Sequence, residues 1–203
     1  MKQFKCPKGL KGRIVAESMN RGHSALTDWG LKKVEIKPQF KILDVGCGGG
    51  KTISKLASLA FKGKVYGIDY SSDMVEYSKE VNNELIAENR VLIIESSVEN
   101  LNFPDGFFDL VTGVETYYFW SNLLKAFNEI KRVLKQKGKL LLINEMIKDG
   151  IYEVENAEII ADTNVNLVSL SEIKSMLQSI GFTNVNVFSK KKSPWNTILA
   201  QKQ

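Results

Sequence analysis

One stretch limits this chain more tightly than any other: Lys41-Ile42-Leu43-Asp44-Val45-Gly46-Cys47-Gly48-Gly49-Gly50, an apolar run that passes straight into a glycine-dense turn. Ile42, Leu43 and Val45 read as a short strand of a parallel sheet buried on both faces. The glycines that follow can take positive φ or let a ligand lie against bare backbone. A second strand, Lys64-Val65-Tyr66-Gly67-Ile68-Asp69, comes after a helix-length gap and ends in an acid. The pair points to a nucleotide-like ligand held at strand tips, with the carboxylate accepting hydrogen bonds from ribose hydroxyls.

The glycine spacing separates two ligand classes. A dinucleotide fingerprint built on Gly46 and Gly48 requires glycine at position 51, where Lys51 stands. Asp44 followed by G-x-G-x-G at Gly46, Gly48 and Gly50 instead resembles motif I of the class I S-adenosylmethionine-dependent methyltransferases. Three more segments match that family in order: Asp69, the stretch Ser97 to Val111, and the stretch Glu129 to Leu140. Roughly four fifths of the chain is covered, and the nearest likeness is to the group that includes the quinone-biosynthesis enzymes.

The resemblance implies S-adenosylmethionine as cofactor and S-adenosylhomocysteine as product. It implies that Gly46, Gly48 and Gly50 bring backbone close to the cofactor's amino-acid part, with Cys47 a small residue that fits the loop. Asp44 orders that loop and reaches the methionyl amino group. Asp69 binds the ribose, with a role as helix cap the plainer reading. Tyr70 and Met74 flank adenine or ribose, Met74 being equally suited to the core. Where many relatives carry an aspartate for the adenine amino group, this chain has Ser97, so Val98 through its backbone or Glu99 takes that contact. Val114, at the tip of the fourth strand, completes the expected cofactor site.

At 203 residues and 43% hydrophobic content the chain supports one sizeable core. The expectation is a single domain: an amino-terminal helical arm over 1–40, a cofactor-binding core over 41–146, and a substrate-side insertion with closing strands over 147–203. No apolar run reaches 18 residues and the basic start, Met1 to Lys11, has no apolar stretch, so a cytoplasmic protein without membrane insertion is expected. Cys6 and Cys47 show no metal-ligand spacing and read as free thiols, and no metal site is expected. The net charge of +5 is scattered, and its one tight cluster, Lys190-Lys191-Lys192, reads as a solvated turn. A nucleic-acid partner is accordingly not expected.

Periodicity gives alternating elements: strand 41–46, helix 52–60, strand 64–69, a helix capped by Ser72 and running to about Glu88 with Met74, Val75, Val81 and Leu85 on its apolar stripe, and strand 91–96. Strand 108–114, a helix from Asn122 to Leu134 ending near Gly138, and strand 139–144 follow. Ser169-Leu170-Ser171-Glu172 is a capping box for a helix ending at Gly181, and strands 185–188 and 197–200 close the chain. This is a doubly wound, Rossmann-like α/β pattern with helices on both faces. The resemblance implies a seven-stranded, mostly parallel sheet of order 3-2-1-4-5-7-6.

Substrate specificity is expected in the arm around Met19-Asn20-Arg21-Gly22-His23 and Trp29, and in the connection from Ile147 to Val168, both at the rim of the strands' carboxyl ends. Arg21 is placed to pair with the methionyl carboxylate. Methyl transfer is an in-line displacement that needs no obligatory base, so the catalytic residue is left open among His23, Glu115, Tyr117 and Tyr118. Val114-Glu115-Thr116-Tyr117 replaces the Asn/Asp-Pro-Pro-aromatic motif of enzymes acting on planar nitrogens. The expected function is methyl transfer to a small molecule. An RNA or protein methyltransferase and a non-catalytic, cofactor-binding regulatory protein are the alternatives.

Overall fold

The computed structural model describes residues 17–18, 22–148 and 165–203. Met19, Asn20, Arg21, Cys6 and most of the 147–168 connection lie outside them. Seven strands, β1 (Lys41–Val45), β2 (Lys64–Asp69), β3 (Val91–Glu95), β4 (Phe108–Val114), β5 (Leu134–Asn144), β6 (Phe182–Ser189) and β7 (Asn196–Lys202), form one sheet of order β3-β2-β1-β4-β5-β7-β6. All neighbours pair in parallel except β7, which runs antiparallel to β5 and β6. The order expected from the resemblance is the order observed.

The apolar strands are continuous because both faces are covered. Leu43, Val45, Val111, Leu140 and Leu142 face one core with Phe127 and Ile130 of α5 (Leu123–Val133) and with Ile173 and Leu177 of α6 (Leu170–Ser179). Ile42, Leu110, Leu141 and Ile143 face the other, with Leu26 of α1 (Ser24–Leu31) and with Ile53 and Leu56 of α2 (Lys51–Leu59). Register does the positioning. β1, β2 and β4 end side by side, with Asp44 opposite Gly67 and Thr112, so the turns after them open at one rim.

Four local expectations are corrected. The cap after β2 is Ser71, not Ser72: its Oγ accepts from the Met74 amide at 3.4 Å. The long helix expected to Glu88 is two, α3 (Ser72–Val81) and α4 (Asn83–Ala87). They break at Asn82, whose side chain donates to Gly50 O at 3.1 Å and accepts from Ser54 Oγ at 2.8 Å. The break leaves Val81 39% exposed, off the apolar stripe. Finally, β5 begins at Leu134 directly after α5, not at Lys139, because the chain turns extended at Leu134 (ψ 139°) and pairs with Phe108 before a register shift. Gly138 is thus inside a bulged strand and caps no helix.

The capping box before α6 forms as expected: Ser169 Oγ accepts from the Glu172 amide at 3.2 Å, and Glu172 accepts from the Ser169 amide at 2.7 Å. Ser169→Ala removes one half of that exchange. It is expected to lower unfolding stability by ~1 kcal/mol, measured by urea denaturation.

Candidate functional site

The strand tips and the arm enclose a cavity of about 400 Å³. One end is built on the glycine turn. The Gly46 and Cys47 amides both donate to Ile68 O, at 2.8 and 2.9 Å, which folds the turn back over the end of β2. Gly46 has φ +68°, and a Cβ there would lie 2.1 Å from Thr116 Oγ1, so only glycine fits. Asp69, 8% exposed, accepts from the Gly48 amide at 2.9 Å through one carboxylate oxygen and from the Ser71 amide at 3.0 Å through the other. The Tyr70 amide bears on the same carboxylate, which keeps acceptor capacity beyond these backbone donors. Burial pushes the Asp69 carboxyl up, against the pull of its backbone donors.

Asp44 is 2% exposed and also borders the cavity. Burial raises it to about 7, opposed by the Thr112 hydroxyl that donates to Oδ1 at 2.6 Å and helped by the charge of Asp69. Such a carboxyl is only partly ionised near neutral pH, and a cation beside it favours the charged form. Cys47 is a buried free thiol whose Sγ lies 3.9 Å from Ser78 Oγ, and burial drives its pKa up. It is a packed wall residue. Tyr70, half exposed, and Met74, 2% exposed, flank the turn, and Ser97, Val98 and Glu99 form the wall after β3.

The other end is lined by His23, Ser24, Thr27, Val114, Glu115, Thr116, Phe119 and Trp120. The chain leaves β4 at Glu115 with φ +54° and enters a 3-10 turn over Tyr117–Phe119. Glu115 is buried, accepting from the Glu145 amide at 2.6 Å and from the Tyr118 hydroxyl at 2.7 Å. Burial raises its carboxyl to about 7; the His23 charge opposes this and the Glu145 charge adds to it. His23 sits at the cap position of α1 with Nε2 3.5 Å from Glu145 Oε1. Burial works to lower its pKa, yet the hydrogen bond to Glu145 and the charges of Glu115 and Glu145 outweigh it and the net shift is upward.

A glycine-walled turn joined to paired strand-tip acids is a cradle for a nucleoside-bearing cofactor, and residues 43–142, which contain it, match the family described as Methyltransferase domain. The chain belongs to the S-adenosylmethionine-dependent methyltransferases. It is 34% identical over 114 residues to the uncharacterized methyltransferase YcgJ of Bacillus subtilis, a match covering 56% of this chain and 44% of that protein. It is 31% identical over 125 residues to a demethylmenaquinone methyltransferase of Bacillus mycoides, covering 60% and 51%. The chain spans about half the length of these curated relatives. In fold it matches a SAM-dependent methyltransferase from Aquifex aeolicus with a TM-score of 0.75 at 23% identity, over 94% of this chain and 98% of that one.

In this methyltransferase domain the cavity wall brings together Asp44, Gly46, Cys47, Gly48, Asp69, Tyr70, Met74, Ser97, Val98, Glu99 and Val114 of the residues expected from the sequence to hold the cofactor. Gly50 is not among them. It holds φ +78° at the start of α2, and a Cβ there would lie 2.3 Å from Ser78 Oγ, so this glycine lets two helices approach. Glu99 reaches the wall but spends Oε1 on the Ser121 hydroxyl and the Asn122 amide, the latter at 2.9 Å. The Ser121 bond and these neighbours hold its carboxyl below the usual range. Ser97 Oγ accepts from the Glu99 amide at 3.2 Å.

Of the four candidate catalytic residues, His23 and Glu115 border the cavity. Tyr117 and Tyr118 do not. The Tyr117 hydroxyl donates toward Met146 O and Val168 O, each at 3.3 Å, and burial with the nearby Glu115 charge raises both phenols, so neither is poised as a base. Glu145 and Thr112 escaped the sequence reading. A Thr one strand away from Asp44 carries no signal until the β1–β4 register is known.

Asp44 supplies a pH test. Its folded pKa of about 7 lies above its ordinary 3.8, so its contribution to stability is full below about 3.8, falls as pH rises, and is gone above about 7. Urea unfolding of the free domain across that range is expected to show a steeper loss of stability with rising pH in the wild type than in Asp44→Asn.

Proposed function

We propose that this domain transfers the methyl group of S-adenosylmethionine to a small-molecule acceptor bound at the His23–Glu115 end of the cavity. The observation that carries the reading is the joining of two unlike ends in one cavity of about 400 Å³. The glycine and carboxylate end suits the cofactor, and the end with Phe119, Trp120, His23 and Glu115 suits a compact, partly aromatic or polar partner. When bound, S-adenosylmethionine supplies an electrophilic methyl group on a sulfonium centre.

The chain's own residues do the holding. Asp69, already fixed by the Gly48, Ser71 and Tyr70 amides, keeps acceptor capacity for a ribose hydroxyl. Asp44 offers a buried carboxylate to the methionyl ammonium, and the glycine turn lets backbone lie against the amino-acid part. Val98, Tyr70 and Met74 supply apolar surface for the base, and the Val98 backbone replaces the missing aspartate at Ser97. The arm residues Ser24 and Thr27 close the wall above Glu115, and excluding water strengthens each of these polar contacts. The relative named for demethylmenaquinone supports a small acceptor over a macromolecule. No described helix is long and apolar enough to cross a membrane.

A cofactor-binding protein without catalysis is the second reading, favoured by the absence of Tyr117 and Tyr118 from the cavity wall and by the hydrogen bonds that already occupy Glu115. Isothermal titration separates the readings in order. The expected result is micromolar binding of S-adenosylmethionine and S-adenosylhomocysteine, no binding of NAD, and a loss of roughly tenfold or more in Asp69→Ala. Binding followed by methyl transfer in a screen of hydroxyl, amine and quinol acceptors supports the enzyme. A folded protein that binds neither cofactor form overturns it.

A further inference from the structure

His23, Glu115 and Glu145 come from three separate places: the start of α1, the turn after β4 and the turn after β5. The imidazole nitrogen and one oxygen of each carboxylate all lie within 4.8 Å of one another. Three atoms so spaced have a common point within about 2.8 Å of each. Ligand distances for divalent transition ions are about 2.0–2.2 Å, so closing movements of under about an ångström would bring all three into contact with one ion.

Charge gives a second, independent reason. Glu115 is 6% exposed, and among the described residues no lysine or arginine pairs with it or with Glu145. An ion pair between His23 and Glu145 accounts for two of the three groups. One imidazolium balances only one of the two carboxylates that face it, so with both ionised the cluster keeps a negative charge beside the buried Glu115, an arrangement that is costly in a protein interior. A divalent cation balances both carboxylates around a neutral imidazole. The outer contacts are those of an oriented ligand: the Glu145 amide and the Tyr118 hydroxyl each hold one oxygen of Glu115 and leave each a free lone pair. The His23 and Glu145 side chains are 25% and 36% exposed, so positions remain open for further ligands.

We propose that His23, Glu115 and Glu145 bind a divalent first-row transition ion beside the acceptor end of the cavity, which His23 and Glu115 border, and that the acceptor ligates it through an ionisable oxygen. One imidazole and two carboxylates suit manganese, iron or zinc better than magnesium, which favours an all-oxygen shell. The second half of the proposal rests on the methyl-transfer reading; the ion site does not. Coordination lowers the pKa of a bound hydroxyl. Its proton leaves to solvent, the oxygen's electron pair forms the bond to the methyl carbon, and the carbon–sulfur bond breaks with its pair returning to sulfur, giving S-adenosylhomocysteine.

His23 is the chain's only histidine, so its ring resonances are unique in the NMR spectrum of untagged protein. Titration of the full chain with Zn²⁺ is expected to shift them to a plateau at one equivalent, and Mn²⁺ to broaden them. Glu145→Gln and Glu115→Gln are each expected to weaken the response roughly tenfold or more. Because Glu145 is partly exposed, its variant remains informative if Glu115→Gln does not fold. No change in the His23 signals up to about 1 mM ion, or the same response in both glutamine variants, overturns the site. S-adenosylmethionine titrated without metal keeps the two ideas apart: cofactor binding with a silent His23 sinks only the ion site, and the reverse sinks only the methyltransferase reading.

Discussion

The Asp69 carboxylate holds the working end of this molecule together. Two neighbouring strands end at the same level, and the backbone beyond each must turn away with its amides unpaired. Asp69 accepts one amide from each turn, Gly48 after β1 and Ser71 after β2. Beside that clamp the glycine turn is held by the Ile68 carbonyl and by its own Gly50 amide to Cys47 O, but only Asp69 ties it to the start of α3. The shape of the cavity floor, the placing of Met74 and the line of the Asp44 carboxyl all follow from where this one group stands.

A tension runs through the cavity. Asp44, Asp69 and Glu115 are buried carboxyls that all stand above their ordinary pKa, and burial is the first cause in each case. Protein folding alone gains little from such an arrangement. A site that gathers acids in a low-dielectric pocket is organised for positive charge that arrives later, and a sulfonium, an ammonium or a metal ion each answers that description.

The sheet was legible because its signals are local. Ile42, Leu43 and Val45 beside a glycine turn, an acid closing β2, and a Ser-x-x-Glu box before α6 each carry their physics within a few residues. Their order, however, came from resemblance, and periodicity alone has no means to supply it. What was missed depends on contacts between distant segments. The helix break at Asn82 is set by Gly50 and Ser54, the role of Gly50 by Ser78, and the place of Glu145 by His23 and Glu115. Tyr118 looked like a base in the sequence and proves to be a hydroxyl that steadies Glu115.

The Tyr117 hydroxyl sits between Met146 O and Val168 O. It therefore gathers the two ends of the connection after β5 at one point beneath the cavity. Met146 lies two residues beyond β5 and Val168 one residue before the cap of α6. One phenol thus couples the end of a central strand to the start of its covering helix, so that a movement of either is felt at the turn that carries Glu115.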